Sequence, residues 1–289
     1  MLLSPSNIVA FDDSMKIFNN ATNKFIVMEV VLLYRCIMMD KSTRIKIKSV
    51  VLEILTKKLA EGGPKAEYKP FFVAIFNKKL ITYASVIQSF YTAFGMSIYE
   101  QTAKTLAENM GFQARRQYVL KGEIDSVTDG LILKIQQDLI TGRRKPNSIE
   151  EMKLIKKTIK HATKPRKQPY SIVDLYLKSP EGKEYFFGIT TVKPNKEGLE
   201  AHKLKLLRWM ALRLSIDKNA NFSVAIVVPY NPYYPNRYAR FGSDMLFDEN
   251  QLLVQEAFWD LIGGKGTFQE LLKIFREVGK ELKPKIDAL

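Results

Sequence analysis

The segment Ser171–Val192 decides the fold, and it reads SIVDLYLKSPEGKEYFFGITTV. Its first part alternates in polarity, which predicts a β-strand with Val173, Leu175 and Leu177 on one face and Asp174 on the other. A strand with one apolar face has to be covered by other elements, so this segment is expected to lie against a core.

A turn and three further elements extend this strand. The tetrapeptide Ser179-Pro180-Glu181-Gly182 matches the residue preferences of a type I turn, and the return strand Glu184–Val192 is rich in aromatic and β-branched residues. A helix is expected after Asn195 to about Ile216, and the apolar run Phe222–Val228 is expected to be a central strand. We therefore predict an α/β fold with a mixed central sheet flanked by helices.

The N-terminal region has a different pattern. Residues from about 15 to 60 carry apolar side chains at three- and four-residue steps, which predicts helices, and Gly62-Gly63-Pro64 ends the second run. We expect a helical N-terminal part, residues 1–69, packed on a core formed by residues 70–289.

The amino-acid composition limits which disulfides and metal sites the chain can form. Cys36 is the only cysteine of the 289 residues, so an intramolecular disulfide is excluded, and with only two histidines a Cys/His zinc cluster is excluded too. A metal ion would have to be held mainly by oxygen, which favours Mg²⁺.

The longest apolar stretch, residues 25–39, contains Glu29 and Arg35 and is too short to span a bilayer. We expect a cytoplasmic protein with no membrane partner.

The chain is strongly basic, with 45 Lys and Arg against 30 Asp and Glu. More than half of the excess lies in residues 143–167, which hold ten basic side chains against two glutamates. A phosphate-tracking surface would have this composition. A solvated lysine-rich helix and loop, or a protein attracted to an anionic membrane surface, would have it too.

The order of elements resembles the PD-(D/E)XK nuclease core, in which a carboxylate on the first hairpin strand precedes a second motif on the return strand. Further short motifs resemble type II restriction endonucleases of the TdeIII type, from about residue 70 onward. They are Gln88-Ser89-Phe90, Gly95 with Glu100, Val192-Lys193-Pro194-Asn195, Leu206-Leu207-Arg208-Trp209, Pro229-Tyr230-Asn231-Pro232-Tyr233 and Phe258–Gly264.

This resemblance implies a restriction-endonuclease-like fold and Mg²⁺-dependent cleavage of both strands of double-stranded DNA. The implied target is a short, near-palindromic site of the GGNCC kind, and a two-fold symmetric site implies a homodimer. The glycine-rich segment Gly263–Thr267 lacks the spacing of a phosphate-binding loop, so no nucleotide cofactor is expected.

The resemblance also assigns a metal site. Asp174 matches the first acid of the family motif, and Ile189 would offer its main-chain carbonyl to the metal. Glu100 resembles the acid that many of these nucleases carry on the helix before the hairpin. Its alternative is local, because Ser97 and Glu100 also have the spacing of a capping box at a helix start.

Two catalytic positions of the motif do not match. Gly188 stands where the second acid belongs, and Thr190 stands where the lysine belongs. Gly188 has no ligand for a metal and Thr190 carries no charge, which predicts a loss of several powers of ten in rate. Glu197 and Glu200 are possible substitutes for the missing acid. The alternative function is a catalytically inactive, sequence-specific DNA-binding protein on a nuclease fold.

The DNA-contacting residues are expected beside this motif. The resemblance places Tyr233, Arg237 and Arg240 in a loop near DNA, and a packed loop with half-buried tyrosines is the alternative. The candidates on and before the following helix are Lys193, Lys203 and Arg208, with Lys205 beside them. The lysines and the arginine of that helix could equally form its solvated face.

Overall fold

The computed structural model describes residues 39–61, 70–159 and 171–288, which belong to one compact unit. The expected helix before residue 39, the stop at Gly62-Gly63-Pro64 and the basic residues 160–167 lie outside these ranges. The boundary between residues 69 and 70 also lies at the edge of a gap and stays a prediction. No helix within the described ranges has the length and apolar character that crossing a membrane requires.

The described chain begins with helices and then mixes helices with strands. The helices are α1 (Lys41–Glu61), α2 (Pro70–Ile75), α3 (Lys78–Ala93), a π-helical turn (Phe94–Ile98), α4 (Tyr99–Asn109), α5 (Ser126–Ile140), α6 (Ser148–Thr158), α7 (Lys196–Ile216), α8 (Ser243–Leu246), α9 (Glu256–Gly263) and α10 (Thr267–Asp287). The strands are β1 (Gln113–Leu120), β2 (Ser171–Lys178), β3 (Glu184–Ile189), β4 (Phe222–Val228) and β5 (Leu252–Val254).

In the described part of the chain the strands form one sheet in the order β1-β2-β3-β4-β5. The first two pairings are antiparallel and the last two are parallel, so the sheet is mixed. Helices cover both faces, which confirms the predicted α/β class. The strand β1, which the sequence analysis did not identify, adds an edge next to β2.

The predicted hairpin is confirmed, but its second strand is shorter than expected. The Gly182 N–H donates to the Ser179 carbonyl at 2.9 Å, which closes the turn. Regular pairing on β3 ends at Ile189, and the Thr190 N–H still donates to the Val227 carbonyl at 3.0 Å. The chain then leaves the sheet because α7 starts at once, with the Asn195 side chain accepting from the Gly198 N–H.

Two apolar clusters lie on opposite faces of the sheet. One joins β2–β4 to α5, α6 and α7, and the other joins the sheet to α1, α4, α9 and α10. Val173 belongs to the first cluster, whereas Leu175 and Leu177 belong to the second. The prediction that these three residues share one face is therefore wrong.

A local change in β1 accounts for this switch of faces. Gln117 has a positive φ of 50° and lies between the register pairs Arg116–Leu175 and Tyr118–Val173. It therefore faces Asp174 across the two strands. A left-handed backbone inside a strand reverses the alternation of side chains, so both strands exchange faces at this point.

Lys203 corrects a second prediction. Its side chain is fully buried, and its ammonium donates to both carboxylate oxygens of Glu151, at 2.8 and 2.7 Å, and to the Gln251 side chain at 2.6 Å. Burial lowers the pKa of Lys203, and the Glu151 charge opposes that shift. Lys203 ties α7 to α6 and does not reach a DNA backbone.

Replacing Lys203 by Met should lower the free energy of unfolding by about 3–5 kcal/mol, because Glu151 is left as an uncompensated buried charge. Combining Lys203→Met with Glu151→Gln should recover part of that loss, since both charges are then removed. Urea unfolding of the wild type and both variants measures the difference. Equal losses in the single and double variants would contradict the role assigned to the pair.

Candidate active site

The candidate site is centred on the carboxylate of Asp174, at the point where β1 and β2 exchange faces. Asp174 Oδ2 accepts a hydrogen bond of 2.7 Å from the Ile189 N–H, which fixes the carboxylate against the end of β3. The other oxygen lies 3.6 Å from the ammonium of Lys205 on α7. The Asp174 side chain is 20% exposed, so it remains accessible to a solvent-borne group.

Glu100 approaches the site from α4. It follows the π-helical turn, and such turns are frequent at functional sites. The backbone is helical on both sides of Ser97, so no helix starts there and the capping-box interpretation is wrong. Glu100 instead accepts hydrogen bonds from Arg116 Nε at 3.0 Å and from Gln117 Nε2 at 2.9 Å.

The charge state of Glu100 reflects its burial. Burial raises the pKa of Glu100, the hydrogen bonds from Gln117 and Arg116 lower it, and the charge of Asp174 raises it further. The two carboxylates are thus close enough to influence each other. A buried acid beside a second acid is the kind of pair that is found in catalytic sites.

Position 188 points at Asp174. A Cβ atom built on Gly188 would lie 3.8 Å from Asp174 Oδ2, 3.4 Å from the Trp209 ring and 2.9 Å from Ile226 Cδ1. A side chain at this position would therefore extend beside the Asp174 carboxylate. This is the place where a second metal-binding acid would have to stand.

Thr190 lies on the same strand path and is engaged by α7. Its hydroxyl is 2.8 Å from His202 Nε2. Burial lowers the pKa of His202, the Lys205 charge lowers it further, and the Asp174 charge raises it. His202, Thr190, Lys205 and Asp174 therefore form one group of neighbouring side chains.

The predicted DNA-contacting residues of the loops lie together beyond the end of β3. The Lys193 ammonium is 5.8 Å from the centre of the Tyr233 ring, and Lys193 is exposed. Arg240 Nε donates to the Pro194 carbonyl at 3.1 Å, and the Tyr238 hydroxyl lies 3.3 Å from the Val192 carbonyl. Arg240 thus anchors one loop on the other.

The remaining two basic candidates differ in their surroundings. Arg237 is exposed in the same loop as Tyr233. Arg208 is partly exposed, and its guanidinium lies 3.4 Å from Asp129 on α5. The structure therefore brings Asp174, Glu100, Ile189, Gly188 and Thr190 together. Arg208 instead pairs with Asp129, and Lys203 pairs with Glu151.

The family model for the HinfI type II restriction endonucleases matches residues 39–279. The chain belongs to this family. Similar relatives include the type II restriction enzymes HgiCII and HgiEI of Herpetosiphon aurantiacus. They are 29% and 27% identical, over 76% and 74% of this chain and 81% and 78% of the relative. MjaII of Methanocaldococcus jannaschii is 27% identical over 73% of this chain and 59% of its own length.

Membership of this family means that the chain is a restriction endonuclease, that is, a site-specific deoxyribonuclease that acts on double-stranded DNA. The predicted recognition of a type II restriction endonuclease is confirmed, while the TdeIII subtype stays a prediction.

Type II restriction endonucleases generally use divalent metal ions. The carboxylates of Asp174 and Glu100 do not fit such an ion, because their oxygens already bond to other groups of the protein. Glu100 is bonded through both oxygens to Arg116 and Gln117, and Asp174 is shared between the Ile189 N–H and Lys205. Nowhere in the described ranges do three or more His, Cys, Asp or Glu side chains cluster so that they could hold a metal. Gly188 adds no ligand.

Arg116, Gln117 and His202 were not predicted to belong to the site, and Lys205 was considered only as a lysine of the cleft or of the solvated face of its helix. Arg116 and Gln117 lie on an edge strand whose sequence, QARRQYVL, is mostly polar and gives no clear strand signal. Lys205 and His202 are three residues apart on α7, a spacing that places both on one helix face. That spacing could have indicated a shared position over the site.

Replacing Glu100 by Gln should raise the free energy of unfolding at pH 7. The pKa of Glu100 is higher in the folded chain than in the unfolded one, so ionisation of Glu100 opposes folding above that folded pKa. The advantage of the variant should shrink as the pH falls below the unfolded value, where Glu100 is protonated in both states. Urea unfolding at pH 7 and pH 4 measures it.

Glu108→Gln is the matched control, because Glu108 lies on the same helix and is exposed. It should change stability little at either pH. A Glu100→Gln variant that is less stable than the wild type at pH 7 would contradict the assigned cost of burying this carboxylate.

Proposed function

We propose that this chain is a type II restriction endonuclease that binds a short, near-palindromic duplex site of the GGNCC kind as a homodimer. Its Mg²⁺-dependent cleavage of both strands is strongly reduced by the residues at positions 188 and 190. The observation that carries this proposal is the direction of position 188, whose Cβ would lie 3.8 Å from Asp174 Oδ2. A side chain at position 188 would thus stand beside the Asp174 carboxylate, as a second acid of the motif requires.

Charge explains the expected loss of rate. Hydrolysis of a phosphodiester adds negative charge at the phosphate, and the active site has to compensate it with metal-bound or cationic groups. Gly188 offers no ligand, and the Thr190 hydroxyl carries no charge and is hydrogen-bonded to His202. Asp174 and Glu100 remain, each beside its own cation.

These two ion pairs favour a second candidate function, a sequence-specific DNA-binding protein that no longer cuts. Both functions use the same DNA-facing residues, namely Lys193, Tyr233 and Arg237 on the loops beyond β3 and β4. They differ only in chemistry. Discrete fragments of unmethylated duplex DNA support the endonuclease, while intact DNA with reduced mobility supports the binder.

An apolar surface on α2 and α3 supports the homodimer. Its exposed side chains are Phe71, Phe72, Val73, Ile75, Phe76, Leu80, Ile87 and Tyr91. Exposed large apolar side chains that form a patch mark interaction sites. A two-fold symmetric target would give each protomer one strand.

Restoring the motif should restore cleavage. Gly188→Glu with Thr190→Lys should raise the Mg²⁺-dependent cleavage rate by about 100-fold or more, because it returns an acid beside Asp174 and a cation immediately after β3. Adding Ile226→Val should raise the rate further, because a Cβ at position 188 lies 2.9 Å from Ile226 Cδ1 and needs that space. Single-turnover cleavage of a GGNCC duplex is the measurement.

Ile226→Val alone is the control and should cut no faster than the wild type. If the triple variant folds and binds the duplex but cuts no faster, the assignment of positions 188 and 190 to the catalytic motif is wrong.

Phe71→Ser combined with Ile75→Ser should shift the protein from dimer to monomer, because it removes two of the most exposed apolar side chains of the α2–α3 surface. Sedimentation velocity measures the mass. Ile216→Ser removes an exposed apolar residue at the end of α7 and should leave the dimer intact. An unchanged dimer in the double variant would exclude this surface.

A further inference from the structure

Lys205 is held over the Asp174 carboxylate by its own helix. Its ammonium lies 3.6 Å from Asp174 Oδ1 and 4.8 Å from the centre of the Trp209 ring, which is one helical turn further along α7. Trp209 is itself buried, and its Nε1–H donates to Ser171 Oγ at 2.7 Å. The ring therefore forms a fixed support under the lysine side chain.

Because Gly188 has no side chain, the space between Trp209 and the Asp174 carboxylate is left unfilled from the β3 side. A Cβ there would lie 3.4 Å from the same Trp209 ring and would extend toward Asp174. An acidic side chain at 188 would share the space beside Asp174 that Lys205 now faces. The loss of the acid and the position of Lys205 are thus parts of one local arrangement.

Each carboxylate of the site has its own cation. Lys205 lies beside Asp174, and Arg116 lies 3.0 Å from Glu100. Without these cations, a DNA phosphate that approached the site would be repelled by two neighbouring negative charges. In metal-dependent nucleases the divalent ion supplies the compensating charge.

We propose that Lys205 is a tethered cation that takes the place of the divalent ion at Asp174, so that this chain binds its DNA site without metal. The inference rests on the proposed function, because it assumes that the duplex is seated at Asp174. Arg116 has the corresponding role at Glu100. A phosphate oxygen at the site then accepts a hydrogen bond from the Lys205 ammonium.

The test is equilibrium binding of a fluorescent duplex that carries a GGNCC sequence, measured by anisotropy in EDTA and in Ca²⁺. The wild type should have the same Kd, within about twofold, in both solutions, since the site needs no added cation. Lys205→Met should weaken binding about tenfold or more in EDTA, because Asp174 then repels the phosphate. Ca²⁺ should restore much of that affinity.

Three further variants separate charge from fold. Lys205→Arg keeps the cation and should keep binding in EDTA. Lys218→Met removes a lysine that precedes β4, at the end of the strand away from Ile189, and should leave the ratio of the two Kd values unchanged. Asp174→Asn combined with Lys205→Met removes both charges and should recover binding in EDTA, with no response to Ca²⁺.

The outcomes are distinct. A wild type that binds the duplex only with Ca²⁺, or a Lys205→Met variant that behaves like the wild type, would overturn the role of Lys205 while the proposed function stands. A wild type that binds the GGNCC duplex no better than a scrambled duplex in either solution would overturn the proposed recognition of that site. Failure of the Asp174→Asn, Lys205→Met pair to recover binding would overturn the charge argument.

Discussion

The position of one carboxylate governs the site. Asp174 lies where β1 and β2 exchange faces, opposite the left-handed Gln117, and the Ile189 N–H holds its side chain against the end of β3. That hydrogen bond joins the two strands of the hairpin at the point where regular pairing on β3 ends. Glu100 reaches this carboxylate from α4, and His202 and Lys205 reach it from α7.

The same arrangement shows why the site is costly to maintain. Gln117 stays in a left-handed conformation, and Glu100 is buried with a raised pKa. Strain and buried charge of this kind persist where the surrounding structure holds them in place. Here the buried Lys203–Glu151 pair, the two apolar clusters and the Trp209–Ser171 hydrogen bond hold α7 against the sheet. These contacts fix the position of α7, and with it Lys205 and His202, beside Asp174.

Local patterns predicted the hairpin turn, α7 and β4 well, because these elements depend on neighbouring residues, but the alternation of β2 is broken opposite Gln117. They failed where distant residues decide the outcome. Lys203 looks like a surface lysine in sequence, and its burial depends on Glu151 and Gln251, which are 52 and 48 residues away. The capping-box pattern at Ser97 and Glu100 is genuine, but a π-helical turn continues the helix through it. The Asp174–Lys205 pair likewise depends on how α7 crosses the sheet.

A crystal structure of this chain bound to its duplex in EDTA tests the central claim most directly. The account predicts a backbone phosphate beside Asp174, with a phosphate oxygen about 2.7–3.0 Å from the Lys205 ammonium. A duplex bound elsewhere on the molecule, with Asp174 and Lys205 still facing solvent, would contradict it.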